Sequence, residues 1–152
     1  MIYRLIIFLI LNFALIGSGS LLAGKGPRSE WHANLDKAPW TPPGWVFGLS
    51  WTVIMICFSV YLSYLWPSVE NKKFLLGVLI LQYVLNLAWN PTFFYYHQLV
   101  AGLFVISGLT IVVGFFLLYY WPILELKSLL ILPYFIWLLI ATSLNAYILI
   151  KN

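Results

Sequence analysis

Five long apolar stretches, separated by short polar segments, account for most of the chain. Each contains about 21–23 residues, which is enough for a helix to cross the hydrocarbon core of a bilayer. The stretches are residues 3–23, 44–65, 74–96, 99–120 and 129–150. Arg4 is the only charged residue within any of them. The pattern therefore predicts an integral membrane protein with five transmembrane helices.

Composition supports the same class of protein. Hydrophobic residues make up 63% of the chain and charged residues 8%, against about 45–50% and about 25% in soluble domains. Backbone groups in lipid must be satisfied within each segment, which favours helices, and the stretches lack the alternation of barrel strands. We therefore expect an all-α bundle that forms a single domain over residues 1–152, in a bacterial membrane.

Charge and cysteine content exclude several functions. The net charge is +4, but the basic residues are scattered, so we expect the lipid bilayer rather than a nucleic acid as partner. The predicted topology places four basic residues on each side of the membrane, so the positive-inside rule assigns no orientation. Cys57 is the only cysteine. No nucleophile–base pair or metal-ligand spacing occurs, so we expect no metal and no conventional catalytic site.

The first connection is longer than the others and has its own features. Ser29 is expected to cap a short helix that places Trp31 and Leu35 on one face. This segment would form a lid over one end of the bundle. It continues into Trp40-Thr41-Pro42-Pro43-Gly44-Trp45, where we expect Thr41 to cap the second spanning helix with Pro42 in its first turn. The tryptophans here are either interfacial anchors or parts of a site.

The third stretch contains uncharged amides at membrane depth. Gln82, Asn86 and either Trp89 or Asn90 recur at helical spacing, and Pro91 then predicts a kink. The amides either join helices by hydrogen bonds or orient a ligand.

The second and fifth stretches contribute large aromatic side chains at similar spacing. Phe47 and Trp51 are one turn apart in the second, and Trp137 precedes the small Ala141 in the fifth. Together with the amide face, these residues predict one deep aromatic cavity.

Three local sequences, in order and spacing over nearly the whole chain, resemble the TspO/MBR family. This family comprises the tryptophan-rich sensory proteins and is related to the mitochondrial translocator protein (peripheral-type benzodiazepine receptor). The matching sequences are Trp40-Thr41-Pro42-Pro43-Gly44-Trp45, the pattern Q-x-x-x-N-x-x-W from Gln82 to Trp89, and Leu132-Pro133-Tyr134-Phe135-Ile136-Trp137.

The resemblance implies a receptor or sensor that binds tetrapyrroles such as protoporphyrin IX or haem as ligands rather than as required cofactors. It also implies a homodimer. The alternative function is a carrier of porphyrins or other apolar ligands such as sterols. Some bacterial relatives degrade protoporphyrin IX in light, which makes Trp51 and Trp137 candidate catalytic residues. The implied ligand-binding residues are Trp31, His32, Trp40, Phe47, Trp51, Gln82, Asn86, Trp89, Trp137 and Ala141.

Some positions carry two interpretations. His32 stands where the family usually has tyrosine, and it is either a solvated loop residue or a ligand of haem iron. Leu144, Tyr147 and Lys151 fit a loose sterol-binding pattern, but an interfacial aromatic and a snorkelling lysine explain the same residues without a sterol, and we favour this second interpretation. The fourth stretch contains small residues that serve either packing within the chain or a dimer face. These are Ala101, Gly102, Ser107, Gly108, Thr110 and Gly114.

Overall fold

A computed structural model describes residues 1–152 and consists of helices joined by short segments, without strands. Five helices are long and apolar enough to cross a membrane, which confirms the predicted fold class. The α-helices are α1 (Ile2–Leu22), α2 (Glu30–Ala33), α3 (Gly44–Ser68), α4 (Lys72–Asn90), α5 (Leu99–Tyr119), α6 (Trp121–Leu124) and α7 (Leu132–Lys151).

Prolines set several helix boundaries. At Pro91, α4 passes into a π-helical turn, Pro91–Tyr95, as expected where a proline removes a donor from the backbone ladder. Pro67 lies inside the last turn of α3, which ends one residue later at Ser68. The fifth spanning helix begins at Leu132 rather than at residue 129, because the chain before it forms a 3₁₀ segment, Glu125–Ile131.

The five spanning helices form a closed ring in the order α1, α3, α7, α5, α4. The α5–α7 seam is the most extensive, and α3 meets the fifth span mainly through its 3₁₀ segment, Glu125–Ile131. A Cβ atom added at Gly114 of α5 would lie 3.1 Å from the Phe135 ring of α7. The hydroxyls of Thr110 and Thr142 lie 3.1 Å apart across the same seam. These small residues of α5 therefore serve packing within the chain.

The half of the bundle opposite the first loop is filled by aromatic rings. Tyr134 of α7 stacks on Phe58 of α3, with ring centroids 5.3 Å apart and planes at 16°. Phe116 of α5 packs edge-on against Phe58 at 6.1 Å. All three side chains are buried. This cluster forms a solid floor, so any internal space must lie between it and the first loop.

A cluster of three hydrogen-bonded polar side chains joins the first three spanning helices. The Asn12 amide nitrogen of α1 donates to Ser59 Oγ of α3 at 2.8 Å. The Tyr83 hydroxyl of α4 donates to Asn12 Oδ1 at 2.8 Å. Because lipid offers no competing partner, such bonds help to fix which helices are neighbours.

Candidate functional site

The first loop closes one end of the bundle by aromatic contacts. Ser29 Oγ accepts from the backbone N–H of His32 at 3.1 Å, which confirms the predicted cap of α2. The Trp31 indole stacks on the His97 ring, with centroids 3.9 Å apart and planes at 10°. It also meets Phe93 edge-on at 5.6 Å. The segment therefore sits as a lid on the π-helical turn that ends α4.

The second half of the loop is tied to the end of α7. The Asp36 backbone N–H donates to Asn152 Oδ1 at 3.0 Å, and Asn152 Nδ2 donates back to the Asp36 carbonyl at 3.1 Å. Trp40 Nε1 donates to Ser143 Oγ at 3.1 Å, and its ring meets Tyr147 edge-on at 5.4 Å. Trp40 thus fastens the loop to the outside of α7 and does not line an internal space.

The entry to α3 differs from the prediction that Thr41 caps the helix with Pro42 in its first turn. Thr41 Oγ1 instead donates to the Ala38 carbonyl at 2.7 Å, and the helix begins at Gly44 after Pro43. The prediction was wrong because the ring of Pro43 disfavours helical backbone angles at the preceding Pro42.

The amides of α4 meet a single hydroxyl of α7. Gln82 Nε2 and Asn86 Nδ2 both donate to the Tyr134 hydroxyl, at 2.6 Å and 2.5 Å. All three side chains are buried. The interhelical interpretation of these amides is therefore confirmed. Gln82 Oε1 has no partner, which leaves one buried acceptor in the bundle interior.

Gln82, Asn86 and Tyr134 are called the polar centre. An interior cavity lies on the lid side of this polar centre, between α1, α3 and α4. Its volume is about 80 Å³. The Trp51 ring packs edge-on against Tyr134 at 5.9 Å. Trp89 stacks on Phe93 at 5.3 Å and donates from Nε1 to Asn145 Oδ1 at 3.3 Å. The lining residues are Ile16, Ser20, Trp51, Asn86, Trp89 and Asn90.

The cavity brings together three of the predicted site residues, Trp51, Asn86 and Trp89. Sequence reasoning missed Ile16 and Ser20, because nothing in the first stretch indicates which face turns toward α3 and α4. Gln82 lies below the cavity in the polar centre, and Trp31 and His32 belong to the lid above it.

Trp137 lines a second space rather than the interior cavity. This groove of about 520 Å³ runs along the outer surface between α3 and α7. Trp51 faces the interior cavity, whereas its neighbours Ser50 and Val53 face the groove. Phe47 meets Trp137 edge-on at 5.3 Å, and Ala141 is buried one turn further along α7.

Trp51 and Trp137 therefore line two different spaces in this structure, and the single deep cavity stays a prediction. The sequence shows correctly that Trp51 shares a helix face with Phe47 and that Trp137 shares one with Ala141. It does not show which space each indole lines, because that depends on how α3 is rotated against α1 and α7.

His32 is the titratable side chain of the lid whose environment is most altered. It is half-buried, with its ring 5.4 Å from that of Phe94. Burial and the nearby Lys37 cation lower the pKa of His32 below its ordinary value of 6.5, against an opposing hydrogen bond to the Pro27 carbonyl. The lid is therefore docked with a neutral imidazole at neutral pH.

The three residues of the sterol pattern do not share one outer surface. Leu144 is buried in the bundle. Tyr147 is partly covered by Trp40, and Lys151 Nζ lies 5.9 Å from the Tyr147 ring centroid. Only Tyr147 and Lys151 reach the exterior.

Comparison with known proteins gives a consistent result. A family model described as the TspO/MBR family matches residues 7–150. The chain is 30% identical over 152 residues to the tryptophan-rich protein TspO of Archaeoglobus fulgidus, covering 99% of this chain and 98% of the relative. It is 33% identical over 138 residues to the protein of the same name from Chlorobaculum tepidum, covering 89% and 87%. It is 33% identical over 130 residues to the human translocator protein, covering 80% and 73%.

Proposed function

This chain belongs to the TspO/MBR family of integral membrane proteins, and on that basis we propose that it is a receptor for a flat tetrapyrrole such as protoporphyrin IX or haem. The observation that carries the proposal is the convergence of Trp51, Asn86 and Trp89 around one interior cavity beneath a docked lid. Two indoles offer broad apolar faces, and one amide offers a directed polar contact. This combination is typical of small-molecule sites.

The cavity has to enlarge when the ligand binds. It measures about 80 Å³, whereas sites for molecules of drug size or larger have volumes of roughly 300–1,000 Å³. The residues above the cavity belong to the lid and to the π-helical turn. Displacing the stacked pair Trp31 and His97 is the least disruptive way to gain space, because the aromatic floor below is fully packed.

The polar groups of the cavity suit the edge of a tetrapyrrole rather than its face. Ser20, Asn86 and Asn90 supply hydroxyl and amide donors on the α1 and α4 walls. A porphyrin carries its carboxylates on its rim and leaves its faces apolar. We therefore infer that the ring lies against the indoles, with its polar rim toward these three side chains.

A second candidate function is a carrier that moves such ligands within or across the bilayer. The lipid-facing groove between α3 and α7 favours it, because the groove offers an apolar surface continuous with the surrounding lipid. The name of the human relative, translocator protein, agrees with this alternative. Both functions require the same binding step.

The binding step is tested by titrating the purified protein in lipid nanodiscs with protoporphyrin IX in the dark. Empty nanodiscs of the same lipid serve as the control. We expect a shifted, saturable absorbance band and quenching of tryptophan fluorescence that empty discs do not reproduce. A spectrum identical to that of empty discs contradicts the proposal.

A further inference from the structure

We propose that Asn90, positioned by Gly19, determines which ligands the interior cavity accepts, by recognising a neutral group that both donates and accepts hydrogen bonds. A protonated carboxylic acid and a primary amide are groups of this class. The inference rests on the proposed function and deepens it, because it names the part of the ligand edge that the site recognises.

Asn90 lies in the cavity wall next to the lid. It is the last residue of α4, directly before the π-helical turn Pro91–Tyr95. The lid rests on that turn through the contact of Trp31 with Phe93. The Asn90 side chain lines the cavity and is partly buried. Because it belongs to a spanning helix and not to the lid, displacing the lid leaves it in place.

A glycine of α1 leaves the space that the Asn90 amide occupies. A Cβ atom added at Gly19 would lie 2.7 Å from Asn90 Nδ2 and 3.3 Å from Asn90 Cγ. Both distances are shorter than ordinary van der Waals contact, so any larger residue at this position would displace the amide. Gly19 is buried, and Ile16 and Ser20 on the same helix line the cavity. The amide therefore lies against the α1 backbone at the wall of the cavity.

The Asn90 amide has no hydrogen-bond partner within the chain. Gln82, Asn86 and Trp89 of the same helix each donate to a side chain of α7, but Asn90 Nδ2 and Oδ1 bond to nothing. A cavity of about 80 Å³ has room for water, which can satisfy both atoms until a ligand arrives. A ligand that displaces such water loses affinity unless it replaces both bonds. The amide therefore favours a group that accepts from its nitrogen and donates to its oxygen.

The other two polar side chains of the cavity are less suited to this role. Asn86 Nδ2 donates to the Tyr134 hydroxyl, so Oδ1 is the only atom of that amide without a partner. Ser20 is exposed, so groups outside the cavity compete for its hydroxyl. Only Asn90 combines an unpartnered donor and an unpartnered acceptor with partial burial.

The absence of charge around the cavity selects a neutral group. None of the six lining residues is charged, so an ionised carboxylate would have no cation to pair with. Burying an unpaired charge costs far more than burying a neutral polar group. A protonated acid or a primary amide forms two hydrogen bonds with Asn90, one in each direction. An ester keeps the acceptor but lacks the donor, so it forms only one.

The test compares two uncharged derivatives of protoporphyrin IX, the diamide and the dimethyl ester. Their affinities are measured in the dark by tryptophan quenching, with the protein in lipid nanodiscs. Comparing the ratio of the two affinities between parent and variants cancels any difference in how the derivatives partition into lipid. Asn90→Leu removes the amide at similar volume, and Gly19→Ala displaces it. Gly17→Ala is the matched control, since a Cβ atom added there has nothing within 4 Å.

The parent should prefer the derivative that can donate. We expect it to bind the diamide about tenfold more tightly than the dimethyl ester, as one additional hydrogen bond provides. Asn90→Leu should abolish this preference by weakening the binding of the diamide alone. Gly19→Ala should reduce the preference, and Gly17→Ala should leave it unchanged.

Each other outcome counts against a defined claim. If the parent binds neither protoporphyrin IX nor its derivatives, the proposed function fails, and this inference fails with it. If the parent binds the diamide and the ester equally, or if Asn90→Leu keeps the preference of the parent, the role of Asn90 alone is wrong. If Asn90→Leu binds neither derivative, Gly19→Ala decides, because Gly19 does not line the cavity. An unchanged preference in Gly19→Ala would then overturn the inference.

Discussion

Removing one hydroxyl, in Tyr134→Phe, should destabilise the bundle through the polar centre. The substitution keeps the ring that stacks on Phe58 at 5.3 Å and meets Trp51 at 5.9 Å. It removes the single acceptor shared by Gln82 Nε2 and Asn86 Nδ2. Gln82 Nε2 then remains buried without a partner, because Gln82 is fully buried, and Asn86 Nδ2 loses its bond to α7.

The expected loss in free energy of unfolding follows from the number of hydrogen bonds that Tyr134→Phe removes. Interhelical hydrogen bonds in membranes contribute about 0.6 kcal/mol on average and about 1.7 kcal/mol at most, so the loss of two should cost roughly 1–3 kcal/mol. Gln82→Leu should cost less than Tyr134→Phe. It removes one bond but also removes Gln82 Oε1, which has no partner. In a Gln82→Leu background, Tyr134→Phe should cost about half as much as in the parent.

The assay is reversible unfolding in mixed micelles with increasing denaturing detergent, read by circular dichroism. Tyr119→Phe is the matched control, since Tyr119 is 54% exposed and its hydroxyl has no bonding partner in the chain. A change in the free energy of unfolding below roughly 0.3 kcal/mol for Tyr134→Phe, half the energy of one average bond, would refute the role assigned to this centre.

Two further predictions concern the lid and the indoles. Because the pKa of His32 is lowered in the docked lid, docking is fully favoured above the ordinary value of 6.5 and weakens as the pH falls below it. The protection factors of the α2 amides, corrected for the intrinsic exchange rate at each pH, should therefore fall more between pH 7.5 and pH 5 in the parent than in His32→Tyr, and equal falls would contradict this. If the indoles react with dioxygen activated by illuminated porphyrin, Trp51→Phe and Trp137→Phe should bind the pigment yet bleach it several-fold more slowly. Bleaching of bound pigment at the parent rate would show that the two indoles contribute apolar contact to the ligand but take no part in the reaction.

The membrane spans were predictable because hydrocarbon imposes one strong local rule. A stretch that avoids charge over about 20 residues must be a helix, and all five stretches are helical. The Ser29 cap and the break at Pro91 were equally local, since each depends on residues within one turn. The start of α3 was missed because two rules compete at Pro42. Proline is favoured in the first turn of a helix. A second proline directly after it, however, disfavours helical backbone angles at the first.

The division of the site was not predictable because it depends on contacts between distant residues. Periodicity placed Trp51 and Trp137 on their helix faces but could not show which neighbouring helix each face meets. The order of the helices around the bundle depends on close contacts such as that of Gly114 with the Phe135 ring. The bond between Asn152 and Asp36 joins positions 116 residues apart, and neither has a local signal for it.

The interior site is tested most directly by the affinity for protoporphyrin IX of Ile16→Trp compared with Ile10→Trp. Ile16 is partly buried and lines the cavity, whereas Ile10 is 63% exposed on the same helix. Overpacking a site costs roughly 1–3 kcal/mol, so Ile16→Trp should weaken binding by about tenfold or more while Ile10→Trp leaves it unchanged. Circular dichroism checks that both variants remain helical. Equal affinities for the two variants and the parent would contradict an interior site for the ligand.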